Sequence, residues 1–242
     1  MKLNVNELKV VLKKGTLNYL IESIGLVISK DHVKCNMISK DRNVLLFLDM
    51  PNNLIEGLKD EMTMNFIEPN NKVKPYLDVI DDESVDIKVS DEKLVINKQL
   101  KLNFDDESVI DIFGKDNPIN KIDFFHTAII DSDFLMNFNK IQKIGRNFGK
   151  VYFSVVKNKM YIETTDKTNK FSNSLKFYLC DVKHKDFTLC FKFKSLVNLM
   201  SLIDGDFEIK YSYVEKNDLG LICFVKNDDT EKYFLMSVLD EG

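Results

Sequence analysis

The hydrophobic pattern of this chain is written twice in the same order, and that repetition constrains the fold more than any single motif. The first half opens with an amphipathic helix, VNELKVVLKKG. Val5, Leu8, Val11 and Leu12 share one face, and Asn6, Lys9, Lys13 and Lys14 lie on the others. Strand-like runs follow: TLNYLIES, GLVIS, VKCNMIS and VLLFLDM, parted by turn residues. MTMNFIE is a further strand, KPYLDVI a short helical piece, and VDIKV, KLVIN and QLKLNF close the half. The second half begins with the strand IDFFHTAII and the helix DFLMNFNKIQKIGRNFGK, then KVYFSVV, MYIETT and SLKFYLC. FTLCFKF runs into a helix over 195–203, and FEIKYSYV, GLICFVK and KYFLMSVL finish the chain.

A repeat half the chain long is a duplicated domain and not a solenoid. Between the halves, DDESVIDIFGKDNPIN breaks the alternation and carries charge, Gly and Pro. The expectation is an α+β protein with one domain at 1–104, a connector at 105–120 and a similar domain at 121–242. Many antiparallel strands with few helices put the helices on one face of the sheets.

Several function classes are excluded. Cys35, Cys180, Cys190 and Cys223 are scattered in apolar contexts, and His32, His126 and His184 stand apart, so neither a metal knuckle nor a redox pair is expected. The acidic clusters at 81–84 and 105–108 sit at turns between strands and solvate those loops. No Gly-rich phosphate loop, nucleophile elbow or zinc-protease helix occurs, so no enzyme and no cofactor is expected. The N-terminus lacks a signal-like apolar core, and the apolar run 44–48 is too short to span a bilayer. The expectation is a cytoplasmic protein with no membrane contact.

Charge is the remaining signal. The chain carries 34 Lys+Arg against 38 Asp+Glu, a net charge of -4. Yet 134 to 162 contains no Asp or Glu, while Lys140, Lys143, Arg146, Lys150, Lys157 and Lys159 fall inside. On a helical wheel centred on Ile141, Phe134, Phe138, Ile144, Gly145 and Phe148 gather on its side. Asn139, Lys143, Arg146 and Lys150 oppose them, with Lys140 at the flank. Solvated helix faces ordinarily mix both signs, because Glu–Lys pairs stabilise and like charges repel. The first helix shows the same bias through Lys9, Lys13 and Lys14. Matching cationic faces in an acidic chain point to a polyanion held through its phosphates, without base reading. An acidic protein holds DNA poorly on an open surface, but could do so if the cations lined a closed hole.

The order of elements, the duplication and the stretches FTLCFKFKSLVNLMSLIDGDFEIKYSYV and GLVISKDHVKCNMIS resemble the sliding DNA clamps, of the proliferating cell nuclear antigen and phage clamp type. The resemblance implies three chains closing a ring of six domains around double-stranded DNA, helices inside. It implies a processivity factor in phage, viral or cellular replication, put on DNA by a clamp loader and tethering a DNA polymerase. Its DNA-facing residues would be Lys9, Lys13, Lys14, Lys72, Lys74, Lys140, Lys143, Arg146 and Lys150. Partner peptides would dock against Ile28, Val33, Ile110, Ile112, Phe113, Phe234 and Met236. Subunits would join through Leu100, Leu102 and Phe104 on one edge strand and Leu175, Phe177 and Leu179 on another. Pro75 departs from the pattern within the second inner helix, which then starts near Lys74. The fourth, 195–203, contains no Lys or Arg, since Lys192 and Lys194 precede it. Two other readings stand beside this one: a monomeric DNA-binding polymerase accessory factor, and a β-rich viral structural or interaction protein.

Overall fold

In the computed structural model the chain divides into two compact units, Met1–Lys115 and Asp116–Gly242. The structure describes residues 1–90, 92–105, 119, 122–146, 148–167, 173–203, 207–214 and 219–239. Most of the expected connector, including Ile110, Ile112 and Phe113, lies outside the described residues. Asp105, its first residue, belongs with unit 1: its carboxylate accepts from the Ile67 N–H at 2.7 Å and its own N–H donates to the Asn65 carbonyl at 2.8 Å.

Unit 1 runs β1 (Lys2–Asn4), α1 (Val5–Gly15), β2 (Ser23–Ile28), β3 (His32–Ile38), β4 (Val44–Pro51), the two-residue β5 (Ile55–Glu56) and β6 (Met62–Ile67). Two single-turn helices follow, α2 (Pro69–Lys72) and α3 (Lys74–Leu77), then β7 (Ser84–Ser90), β8 (Lys93–Ile96) and β9 (Leu100–Asn103). Unit 2 runs β10 (Phe125–Ile130), α4 (Ser132–Gly145), β11 (Lys150–Val156), β12 (Lys159–Thr164), β13 (Leu175–Asp181), β14 (Phe187–Lys192), α5 (Phe193–Met200), β15 (Phe207–Val214), β16 (Leu219–Lys226) and β17 (Glu231–Met236).

The duplication visible in the sequence is a duplication of topology. In unit 1 the strands order as β1-β7-β8-β9 and β4-β3-β2-β6; in unit 2 as β10-β15-β16-β17 and β13-β12-β11-β14. Set β5 aside, and each unit joins its first strand to its last three and its fourth to the third, second and fifth. All these pairings are antiparallel. β9 ends its run and β13 ends its own, so among the described residues each leaves one edge without a strand partner.

Alternation along the strands decides which side chains enter the core. Cys35 and Met37 on β3 and Leu94 and Ile96 on β8 alternate in this way and are at most 2% exposed, whereas β11 is buried on both faces, with the adjacent Tyr152 and Phe153 at most 1% exposed. α1 and α4 lay their apolar stripes onto these layers, and both begin on an Asx cap. The Asn4 side chain accepts from the Glu7 N–H at 3.0 Å, and Asp131 from the Phe134 N–H at 2.8 Å. Such caps are worth about 1 kcal/mol each. Both helices also end in a glycine pressed against its neighbour. A Cβ on Gly15 would lie 2.0 Å from Ile24 Cδ1, and one on Gly145 2.4 Å from the Phe193 ring.

The structure corrects four readings of the sequence. TLNYLIES is not a strand up to Ser23: Leu17, Asn18 and Tyr19 have φ of 46°, 50° and 79°, three successive left-handed residues that turn the chain back over α1. The basic segment 133–150 is not one helix. α4 stops at Gly145, Gly149 takes φ 68°, and Lys150 opens β11. Ile144, expected in the packed stripe, is 37% exposed. Finally α5 starts at Phe193, so Lys194 lies inside it, on its first turn. Pro75 is tolerated because it sits in the first turn of α3, where no helical N–H bond is lost.

Candidate nucleic-acid interface

A cluster of basic residues lies in unit 2, where α4 ends, β11 begins and α5 starts. These three points touch: the Phe193 N–H donates to the Gly149 carbonyl at 2.9 Å, and the Phe193 ring packs on Gly145. Lys150 and Lys192 are cross-strand partners in the β11–β14 ladder, an arrangement of like charges that destabilises a sheet. Lys143 stands in the last turn of α4 and Arg146 at its C-cap, both exposed. Cations there are favoured by the helix dipole, by about 0.3–1 kcal/mol each. Lys194 has no such reward. It sits at the N-terminal, positive end of α5, with no acid in the first turn and no side-chain cap. Neither Lys143, Arg146 nor Lys194 has a carboxylate within ion-pair distance among the described residues. Five basic residues thus lie on chain segments that meet, and Lys194 stands at a position that the helix dipole disfavours.

Lys192 and Lys194 are the functional candidates that the sequence reading set aside. Their signal was the alternation FKFK, which carries the strand's exposed face straight into the helix. Lys140 is less committed: its ammonium donates to Asn137 Oδ1 at 3.3 Å and lies 5.6 Å from the centre of the Phe177 ring.

Unit 1 carries a weaker version of this charge. Lys13 is exposed and has no ion pair among the described residues. Lys9 lies 3.4 Å from Asp78, and Lys74 binds the other oxygen of the same carboxylate. The hydrogen bond from Lys74, aided by Lys9, holds Asp78 below the usual carboxylate range, and the same bond raises Lys74. Lys72 pairs with Glu68 at 3.3 Å on its own short helix. Lys14, expected on the open face, is only 8% exposed. The turn after α1 folds back over it, with the Leu17 N–H donating to the Lys14 carbonyl at 3.0 Å. The cationic face of unit 1 is therefore Lys13 with a partly neutralised Lys9 and Lys74.

Compared by sequence, the chain matches no family model and no curated protein. Compared by structure, it aligns with the DNA polymerase sliding clamp from Bacillus subtilis at 12% identity and TM-score 0.69, over 99% of this chain and 64% of that one. It aligns with PCNA from Thermococcus kodakaraensis at 13% identity and TM-score 0.65, over 98% of both chains. A third match, at 13% identity and TM-score 0.66, is A. fulgidus PCNA bound to the C-terminal region of FEN-1, covering 100% of this chain and 98% of that one. The chain has the sliding-clamp fold. It spans a little under two thirds of the bacterial clamp and nearly all of PCNA.

Within the clamp fold, the other predicted residues fall out unevenly. Ile28 and Val33 are 0% and 1% exposed, core residues of the β2–β3 hairpin and not the lining of an open cleft. Their place at the cleft came from the resemblance to the clamps, and alternating apolar residues look alike whether a strand faces core or cleft. Phe234 is buried beside Phe124, with ring centres 5.8 Å apart, whereas Met236 is 39% exposed. Leu102 on β9 is 4% exposed, and Phe104, the residue after the strand, packs edge-on to Phe66 at 5.6 Å, so both face their own unit. What β9 offers outward is its backbone edge, with Lys101 and Asn103 exposed. On β13, Leu175, Phe177 and Leu179 are half-buried and Tyr178 is 50% exposed. Among the described residues, no helix is long and apolar enough to cross a membrane and no acid, His or Cys cluster could hold a metal.

Proposed function

We propose that this protein is a non-catalytic DNA polymerase processivity factor, a sliding clamp that encircles duplex DNA. The carrying observation is the agreement in fold over nearly the full length of two archaeal PCNA chains, with Lys143, Arg146 and Lys194 exposed and outside any ion pair among the described residues of an otherwise acidic molecule. An acidic chain gains little from counterion release overall. A ring needs little, because topology does the holding while local cations keep the backbone near. Lys13, Lys143, Arg146, Lys150, Lys192 and Lys194 are the phosphate-facing set, with Lys9, Lys72, Lys74 and Lys140 as weaker contributors.

The free edges of β9 and β13 support a head-to-tail contact in which one chain's β9 pairs with the β13 of the next. Covering both removes two exposed ladders of N–H and C=O groups. A heterologous contact of this kind closes when its rotation fits, and two repeats per chain favour three chains in a ring of six. DNA polymerase and clamp loader would bind through short peptides near the connector, with Met236 as an exposed apolar contact. The two-domain boundaries 1–104 and 121–242, a replication setting in phage, virus or cell, and a place on the nucleoid in the cytoplasm belong to the same proposal.

Native mass and retention on DNA test it together. Expected are three chain masses by light scattering, and loader-dependent retention on nicked circular DNA that is lost on linearisation. A single-chain mass with equal retention on both templates would instead support the monomeric accessory factor.

A further inference from the structure

Unit 1 contains an open-sided cavity of about 260 Å³ between α1, the left-handed turn after it and the α2–α3 segment. Val10 and Leu12 make its apolar floor, and Lys9, Lys13 and Lys74 stand at its rim. The Asn70 amide donates to Thr16 Oγ1 at 2.9 Å, and that hydroxyl donates to the Leu12 carbonyl at 2.8 Å, which fixes the distance between the walls. Tyr19 forms one side. The residue is 62% exposed, on a turn of three successive left-handed residues, Leu17, Asn18 and Tyr19.

This arrangement is costly for folding and unrewarded by it. Left-handed φ is unfavourable for residues with a Cβ, and clusters of such outliers mark functional surfaces. An exposed tyrosine ring buries little of its own apolar area. Three rim lysines face a single carboxylate, Asp78, leaving net positive charge. The complement of this surface is a ligand that is anionic at one end, flat and apolar at the other. The volume is large enough for a nucleobase. A paired base has both faces covered, whereas an unpaired one presents a π-face to an aromatic platform.

We propose that this cavity takes one unpaired nucleotide of a DNA single strand, its base stacked on Tyr19 and its phosphate at Lys13. Lys9 and Lys74, tied to Asp78, supply field across the rim. The open side lets the strand enter and leave. The inference rests on the nucleic-acid reading of this surface, and it gives a clamp a contact to the unpaired strand beside a primer end.

The test uses the full chain and a fluorescein-labelled thymidine pentamer, followed by anisotropy at low salt. Tyr19→Ala weakens pentamer binding about tenfold, the scale of one base–aromatic stack, and Tyr19→Phe restores it. Binding of a short blunt duplex is unchanged by Tyr19→Ala. The proposal is overturned if the wild type does not bind the pentamer, if Tyr19→Ala leaves that binding intact, or if duplex binding falls equally. Thymidine monophosphate competing as tightly as the pentamer would also overturn it, in favour of a free nucleotide. Pentamer binding needs no loading, so a chain that runs off circles yet binds the pentamer through Tyr19 loses the ring and keeps the pocket.

Discussion

Replacing Lys143 and Arg146 together by glutamine removes two exposed cations that touch no carboxylate among the described residues. If each neutralises one phosphate of a duplex, the slope of log affinity against log salt becomes shallower by about 1.8, at about 0.9 per phosphate. Over a fourfold rise in salt, from about 50 to 200 mM, the affinity gap between wild type and variant closes by about twelvefold. The matched change in unit 1, Lys9→Gln with Lys74→Gln, removes the same formal charge. Asp78 already cancels part of it, because it bonds to both lysines, so the slope shifts by less than about one. Anisotropy titrations of a labelled duplex at four or more salt concentrations measure both slopes, with circular dichroism as the check on folding. Equal slopes for wild type and the unit 2 variant, or a larger change from the unit 1 pair, would refute the assignment of the main phosphate-facing corner to unit 2.

Gly145→Ala drives a methyl into the buried Phe193 ring and destabilises by about 1–3 kcal/mol. In a chain of this size that lowers Tm by about 5 °C in a thermal scan. Burial pushes the Cys180 thiol up to about 11 and Cys223 to about 12, and raises Cys35 further. Native protein at pH 8 is therefore alkylated slowly at Cys180 alone among these three, and at the others only on unfolding, as read by mass spectrometry. Lys74→Gln raises the Asp78 titration midpoint in NMR towards the ordinary carboxylate value, since the Lys74 hydrogen bond is the main force lowering it. With the folded value depressed, the Asp78 ion pairs contribute fully above about pH 4 and are lost as pH falls through the lowered midpoint. An unchanged midpoint would show that the bond does not form in solution.

The duplication and both long helices were legible because they rest on local periodicity: Val5, Leu8 and Val11 in one, Phe134, Phe138 and Ile141 in the other. What the pattern hid came from backbone conformation and close approach. Lys14 reads as a surface lysine until three left-handed residues fold the chain over it. Lys150 reads as helical until Gly149 turns the chain into β11. Lys194 reads as a residue before a helix, because no capping residue marks the start of α5 at Phe193. Ile28 and Val33 carry the same alternation whether they face core or cleft. The candidate site was therefore visible as an excess of charge, but its centre shifted towards α5 once the three chain segments met.

The paired glycines at the ends of α1 and α4 set a spacing. At each, a helix bearing exposed lysines lies close against the element behind it, Ile24 in one repeat and Phe193 in the other. The standoff of those ammonium groups from anything outside is thus fixed by two residues that carry no charge. A methyl group at either would displace the cations outward without altering one of them. Net charge would be unchanged while the reach of the surface was not, and both repeats have a glycine at this contact.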